Sequence, residues 1–99
     1  MVIVSQVIYP PESSQEMATR FLEAPQVPEK FNRIGPYFSA NLQDGIVGLS
    51  IWETDPQNIV EMQTFIGNYL AVFFGVPGYK YETKSFYKVE EALKLIGMG

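Results

Sequence analysis

The stretch PYFSANLQDGIVGLSIWE, Pro36–Glu53, decides the fold of this chain. Two runs rich in apolar and aromatic residues flank Asp44-Gly45, a dipeptide that favours a two-residue hairpin turn because both central positions need positive φ. With that turn, Tyr37 faces Trp52 across the two strands, and the small polar Ser50 shares their face. The opposite face is wholly apolar. The segment therefore predicts two neighbouring strands of an antiparallel sheet.

Apolar patterns on either side of the hairpin predict the remaining elements. They are a strand over Val2–Tyr9, a helix over 13–24, a helix over 54–74, a strand over 79–87 and a short helix over 89–97. The order β-α-β-β-α-β is typical of the ferredoxin-like α+β fold, in which an antiparallel sheet carries two helices on one face. We predict one domain over residues 1–99, with the first and third strands in the centre of the sheet.

Helix starts are indicated by short polar motifs. Ser13 and Glu16 have the spacing of a capping box at the first helix. Asp55 is expected to cap the second helix, with Pro56 at its first position, and Thr54 with Gln57 is a competing cap one residue earlier. The apolar residues of that helix recur at helical spacing and predict a buried stripe. They are Ile59, Met62, Ile66, Tyr69 or Leu70, and Phe73.

The face of the sheet without helices predicts self-association. Trp52 and Tyr37 are assigned to this open face, where they would stand in water in a monomer. An exposed aromatic patch of that kind usually marks an interaction site. The composition agrees, since 46% of residues are hydrophobic and only 18% are charged. We expect a homodimer formed by two open faces about a two-fold axis.

The composition also excludes several kinds of chemistry. The chain has no Cys and no His, so disulfides, Cys/His zinc sites, His-ligated haem and a Ser-His-Asp triad are impossible. The net charge is −4 and the basic residues are scattered, which disfavours nucleic-acid binding. The apolar runs are far shorter than the about 20 residues of a membrane span, and no signal peptide is evident, so we expect a soluble, cytoplasmic protein. Two aspartates and no glycine-rich phosphate loop predict neither a metal site nor a cofactor.

Several motifs together resemble a known superfamily. They are MVIVSQVIYPPE, RFLE, RIGPYF, DGIVGLSIWETDP and FFGVPGYKYETKSFYKVEEAL. The chain resembles the dimeric α+β-barrel superfamily, and within it a family of short barrel proteins of unknown function. The resemblance implies a barrel made by two facing sheets and a ligand cavity between sheet and helices. Relatives include cofactor-independent monooxygenases, which have a Trp much like Trp52 but also a helical His that this chain lacks.

Aromatic and small polar residues form the predicted ligand site. These residues are Tyr37, Ser50, Trp52, Tyr69, Tyr79 and Tyr81. Trp52 with Tyr37 would stack an aromatic ligand, and the tyrosine hydroxyls would bond a carbonyl or phenolate. The alternative is that these large aromatic residues only pack in a core or an interface.

Glu53 and Tyr81 are the candidate acid–base groups of a chain without His. A buried Glu53 would have a raised pKa suited to proton transfer. The alternative is that Glu53 satisfies free amide groups at the start of the second helix. Three functions follow: a binder of a small apolar or aromatic molecule, an oxygenase- or isomerase-like enzyme, and a structural or regulatory dimer.

Overall fold

The structure is a computed structural model that describes residues 1–99. Seven helices and strands follow one another, and short 3-10 turns lead into the first two helices. They are β1 (Val2–Tyr9), α1 (Ser14–Glu23), β2 (Asn32–Asn41), β3 (Gly45–Glu53), α2 (Ile59–Ala71), β4 (Lys80–Phe86) and α3 (Val89–Leu95). Every predicted element is present, and β1 has the predicted bounds.

The four strands form one antiparallel sheet in the order β2-β3-β1-β4. The predicted central position of the first and third strands is therefore confirmed. Together with the three helices, this sheet makes a mixed α+β architecture that is consistent with a ferredoxin-like arrangement. None of the helices combines the length and the apolar character that crossing a membrane requires.

The buried face of the sheet carries the odd-numbered residues of β1 and the even-numbered residues of β3. Trp52 is only 1% exposed and packs edge-on against Phe65 of α2, with ring centroids 6.1 Å apart. Ile3, which pairs with Trp52 across the strands, is buried in the same cluster as Met62 of α2. The prediction that Trp52 lies on the open face is wrong. Because side chains alternate between faces, the neighbours of Trp52 at two-residue spacing are covered by helices as well.

The core consists of two adjoining clusters of buried side chains. The first contains Ile3, Phe31, Trp52, Met62, Ile66 and Leu70. The second contains Tyr9, Met17, Tyr69, Phe73 and Val76. Since Met17 of α1 shares a cluster with Tyr69 of α2, both helices lie on the same side of the sheet. The buried stripe predicted for the second helix is confirmed, apart from Ile59, which is half-buried.

The turn of the hairpin differs from the predicted one. Asn41 pairs with Gly45, which leaves a three-residue loop between β2 and β3. The Asn41 side-chain oxygen accepts hydrogen bonds from the amide groups of Gln43 (3.0 Å) and Asp44 (2.6 Å). Only Gly45, at φ 83°, has positive φ in this turn, whereas the predicted turn requires it at Asp44 too. The Asn41 side chain therefore shifts the register of the strands.

A β-bulge at Gly35-Pro36 changes which side chains of β2 face the helices. Before the bulge Arg33 lies opposite Trp52, and after it Phe38 lies opposite Gly48. The register moves by one residue between the two pairs, and such a shift turns every later side chain to the other face. Odd-numbered Arg33 and even-numbered Phe38 therefore share the helix-covered face.

The open face of the sheet is apolar but does not contain the predicted aromatic pair. Tyr37 lies opposite Leu49 and is 60% exposed, so the predicted pairing of Tyr37 with Trp52 is wrong. The physical reason is the bulge together with the longer turn. Half-buried Val4 and Ile51 pair on the same face as Leu49, which gives this face an apolar centre.

The predicted helix caps are also wrong. The Ser13 hydroxyl donates a hydrogen bond to the carbonyl of Pro77 (2.6 Å), and Glu16 pairs with Arg20 instead of the helix start. Asp55 precedes a 3-10 turn, and its side chain makes no capping hydrogen bond. The 3-10 turns before α1 and α2 satisfy the first amides through backbone carbonyls, which removes the need for side-chain caps.

Tyr79 ties the end of α2 to the start of β4. Its hydroxyl donates a hydrogen bond to the carbonyl of Leu70 (2.8 Å). Burial raises the pKa of Tyr79 well above its ordinary value of 10.0, and the neighbouring Tyr81 raises it further. Above pH 10 the unfolded chain therefore loses a proton that the folded chain keeps, so this tyrosine lowers the stability as the pH rises.

We expect Tyr79→Phe to lower the free energy of unfolding by about 1 kcal/mol near neutral pH, because one hydrogen bond is lost. The wild type should lose more stability than the variant as the pH rises past 10, since Phe does not titrate. Urea unfolding at about pH 8 and about pH 11 measures both effects. The control is Tyr87→Phe at an exposed position. If the free energy of unfolding fell by the same amount between about pH 8 and about pH 11 in the wild type and in Tyr79→Phe, this account would be contradicted.

Candidate functional site

A cavity of about 320 Å³ lies between the helix-covered face of the sheet and the two helices α1 and α2. Eleven of the seventeen residues around it are hydrophobic, so its interior is mainly apolar. Phe38 of β2 is 59% exposed and Leu22 of α1 is 83% exposed, and both border the cavity. These two residues mark where the cavity opens to solvent.

The two central strands form the floor of this cavity. Ser5 and Val7 come from β1, and Gly48 and Ser50 come from β3. A Cβ atom on Gly48 would stand only 3.0 Å from side-chain atoms of both Val7 and Phe38. Glycine at this position therefore allows the side chains of Phe38 and Val7 to pack directly over the strand.

The helices form the walls of the cavity. Met17 and Phe21 project from α1, and Tyr69 from α2 and Phe73, just beyond the end of that helix, lie across from them. Tyr69 and Phe73 pack at a ring-centroid distance of 6.1 Å. The walls therefore offer one thioether and three aromatic rings to a bound molecule.

Trp52 closes one end of the cavity. Its indole Nε1–H donates a buried hydrogen bond to the Ser5 hydroxyl (2.9 Å), which joins the two central strands through their side chains. The indole also packs edge-on against Tyr69, at a centroid distance of 6.1 Å. Its position is thus fixed by both a polar and an apolar contact, and it does not depend on a ligand.

Arg33 supplies the single charged side chain that lines the cavity. Its guanidinium carbon lies 5.4 Å from the ring centroid of Trp52, 5.3 Å from that of Tyr69 and 6.0 Å from that of Phe21. These distances fall within the range of cation–π attraction. The bulge in β2 and the aromatic rings of three elements together hold this cation at the cavity.

Tyr9 adds a hydroxyl to the lining of the cavity at the far end of β1. Burial raises the pKa of Tyr9 above its ordinary value. The hydroxyl therefore stays protonated at neutral pH and can donate a hydrogen bond. With Ser5, Ser14, Ser50 and Arg33, Tyr9 completes a small set of polar groups in an otherwise apolar cavity.

Three of the six residues predicted to bind a ligand lie together at this cavity. Ser50, Trp52 and Tyr69 all line it. Tyr37 lies on the opposite face of the sheet, across from Leu49. The structure therefore does not bring Tyr37 and Trp52 together.

Tyr79 and Tyr81 lie on the other side of α2. Tyr79 stacks on Tyr81 at a centroid distance of 5.7 Å. Its hydroxyl donates a hydrogen bond to the backbone carbonyl of Leu70 in α2. Tyr81 borders a separate, smaller cavity of about 140 Å³ with Ile66 and Gly67. Neither tyrosine lines the main cavity, although Tyr79 packs against its wall residue Phe73 at a centroid distance of 5.6 Å.

Glu53 lies at the end of β3, outside both cavities. Its carboxylate pairs with the Lys88 ammonium group at 3.3 Å, next to the start of α3. Glu53 thus neither points into the main cavity nor caps α2.

Arg33 and Phe38 are two of the cavity residues that the predicted site does not include. The hairpin pattern assigned no face to Arg33, and it placed Phe38 opposite Ile51, on the face away from Trp52. The available signal was Gly35-Pro36 within an otherwise regular strand pattern, because glycine and proline inside a strand often mark a bulge. Including that bulge places both residues on the same face of the sheet as Trp52.

Comparison with known proteins adds no family assignment. No protein-family model matches the chain, and no match is found among curated proteins. The resemblance to the dimeric α+β-barrel superfamily therefore stays a prediction.

Two solved structures are similar to the chain at a low level. One is a tripeptidase from Staphylococcus aureus subsp. aureus Mu50, with a TM-score of 0.46 and 14% identity over 99% of this chain. This chain spans only 35% of the length of that chain. The other is the de novo designed protein Foldit4, with a TM-score of 0.41 and 13% identity over 87% of this chain and 96% of that chain. Likenesses at this level say nothing about what this chain binds.

The hydrogen bond between Trp52 and Ser5 leads to a prediction about stability. Ser5→Ala leaves the buried indole N–H without a partner, and an unsatisfied buried donor costs about 1–3 kcal/mol. We expect the free energy of unfolding, measured in urea, to fall by that amount. Ser39→Ala makes the same change at an exposed position of β2 and should cost less than about 0.5 kcal/mol. A small effect of Ser5→Ala, equal to that of the control, would contradict the role assigned to this bond.

Proposed function

We propose that this protein binds a small apolar or aromatic molecule in the cavity between its sheet and its helices. The observation that carries the proposal is the cavity itself, with a volume of about 320 Å³ and a mainly hydrophobic lining. Ligand pockets in proteins usually measure about 300–1,000 Å³ and combine apolar walls with a few placed polar groups. This cavity is at the small end of that range, so a small ligand fits it best.

The positions of the candidate acid–base groups favour binding over catalysis. Glu53 faces Lys88 outside the cavity, and Tyr81 lies on the far side of α2. A general acid or base must lie within hydrogen-bond reach of the reacting atom. Neither residue meets that condition for a molecule held between α1 and the sheet. The two candidate acid–base residues of the enzyme hypothesis therefore lie outside the cavity.

The same cavity favours binding over a purely structural role. A structural dimer with a filled interior needs no space between sheet and helices, because protein interiors pack densely. Here Ser5, Gly48 and Ser50 are among the residues that the two central strands contribute to the lining. Small residues on the two central strands, where larger ones would fill the core, support a binding site.

We further propose that a second copy of the chain covers the open face, as in a dimeric α+β barrel. Leu49 and Ile51 of β3 and Val4 of β1 give this face an apolar centre that is only half-buried in one chain. Along β4, Lys80, Glu82 and Lys84 lie opposite residues of this face in alternating charge.

Binding of a neutral aromatic probe tests the proposed site. Calorimetric titration with 2-naphthamide should show saturable binding with one probe per chain. Ser50→Leu adds bulk inside the cavity and should weaken binding about tenfold or more, since overpacking costs about 1–3 kcal/mol. Ser39→Leu makes the same change on the open face and should leave the affinity unchanged. An affinity that Ser50→Leu does not alter would place the probe elsewhere and overturn the assignment of this cavity.

Sedimentation tests the proposed dimer separately. At micromolar concentration the wild type should sediment as a dimer. Leu49→Lys should give a monomer, because it buries a charge without a partner at the centre of the interface. The control is Leu42→Lys at the fully exposed hairpin loop, which should remain dimeric. A wild type that sediments as a monomer would contradict the dimer and leave the ligand proposal intact.

A further inference from the structure

The cavity contains one positive charge and no negative charge. Its lining includes Arg33 but no aspartate and no glutamate, although acidic residues outnumber basic ones in the chain by 11 to 7. A charged group placed in a mainly apolar cavity is costly unless something compensates it. Arg33 therefore indicates more about the ligand than any apolar residue of the lining does.

Arg33 has no anionic partner within the protein. The ion pairs of the chain join Arg20 to Glu16, Lys30 to Glu61, Lys84 to Glu82, Lys88 to Glu53, and the terminal amine to Glu91. The arginine side-chain hydrogen bonds are all made by Arg20. The remaining lysines without an ion pair are Lys80 and Lys94, which are exposed to solvent outside the cavity. Arg33 alone combines an unpaired charge with a place in the cavity.

The aromatic contacts of Arg33 leave its hydrogen-bonding edge free. Trp52, Tyr69 and Phe21 attract the guanidinium through their ring faces and place it at the cavity. Such contacts use charge and shape but no N–H group. A planar guanidinium has five N–H donors in a fixed fork, which matches the two oxygens of a carboxylate. The site is therefore preorganised to accept a planar anion beside aromatic rings.

We infer that the ligand of this cavity is an aromatic monocarboxylate whose carboxylate is held by Arg33. The aromatic body of the ligand lies among the side chains of Val7, Met17, Phe38 and Phe73, and its carboxylate points to Arg33. This inference rests on the proposed ligand-binding function and names the chemical class of the ligand. Ser50, on the floor between these two regions, offers a hydroxyl to the same carboxylate.

The test compares two probes of nearly equal shape, 2-naphthoate and 2-naphthamide, at pH 7, where the carboxylate is ionised. We expect the wild type to bind 2-naphthoate about tenfold tighter or more, since hydrogen bonds to charged groups are stronger than those to neutral groups. Arg33→Gln should remove this preference by weakening 2-naphthoate while leaving 2-naphthamide unchanged. A purely structural role of Arg33 would weaken both probes together. Calorimetry gives the affinities, and the indole N–H resonance of the sole tryptophan, Trp52, reports whether the probe is in the cavity.

Two further variants complete the experiment. Lys80→Gln removes an unpaired positive charge on the open face, and it should keep the preference for 2-naphthoate. Arg33→Lys keeps the charge but loses the planar fork, so it should show an intermediate preference; it also provides a second variant if Arg33→Gln does not fold.

The possible outcomes separate the two proposals. If the wild type binds 2-naphthamide in the cavity and 2-naphthoate no tighter, the carboxylate inference is wrong and the binding function stands. If neither probe binds, both proposals fail. If Arg33→Gln keeps the full wild-type preference, Arg33 is not the group that holds the anion. If Arg33→Lys keeps it, the charge at this position is sufficient and the planar fork is not what holds the carboxylate.

Discussion

The structure depends on the burial of one indole ring. Trp52 is almost fully buried where β3, β1 and α2 meet, and its N–H group bonds to Ser5. The same ring packs against Phe65 and Tyr69 of α2 and lies beside the guanidinium of Arg33. The indole thus joins the two central strands and holds α2 over them. Its ring also provides a cation–π contact for the guanidinium of Arg33 at the cavity. A smaller residue at this position would loosen the core and the candidate site together.

The elements of the fold are readable from the sequence, but the faces of the sheet are not. The β-branched run of β1 and the apolar stripe of α2 are local sequence patterns that are each typical of one structure, so both elements are predicted correctly. The faces of β2 depend on two local features, the Asn41 side chain in the turn and the bulge at Gly35-Pro36. Each feature changes the register by a small number of residues. Because side chains alternate with a period of two, such changes alter which residues of β2 lie beside Trp52. Trp52 itself was misassigned because Val47, Leu49 and Ile51 make the other face of β3 the more apolar one, yet the helices cover the face of Trp52.

The candidate site was predictable only in part for the same reason. Ser50 and Trp52 share a face of β3, so the sequence places these two near each other, but it assigned that face to the side away from Tyr69 in the buried stripe of α2. Arg33 is different, because a lone basic residue in a strand gives no sign of its orientation. Its role depends on the bulge that follows it and on rings from α1, α2 and β3. Contacts of this kind arise from tertiary packing and are not visible in a local pattern.

The central claim is that the space between the sheet and the helices holds an aromatic anion. A crystal structure determined in the presence of 2-naphthoate tests it most directly. The account predicts that the naphthalene rings lie between Met17 and Phe73 and that both carboxylate oxygens lie within hydrogen-bond distance of Arg33. A structure in which core side chains fill this space, or in which the probe lies on the open face beside Leu49, would contradict it.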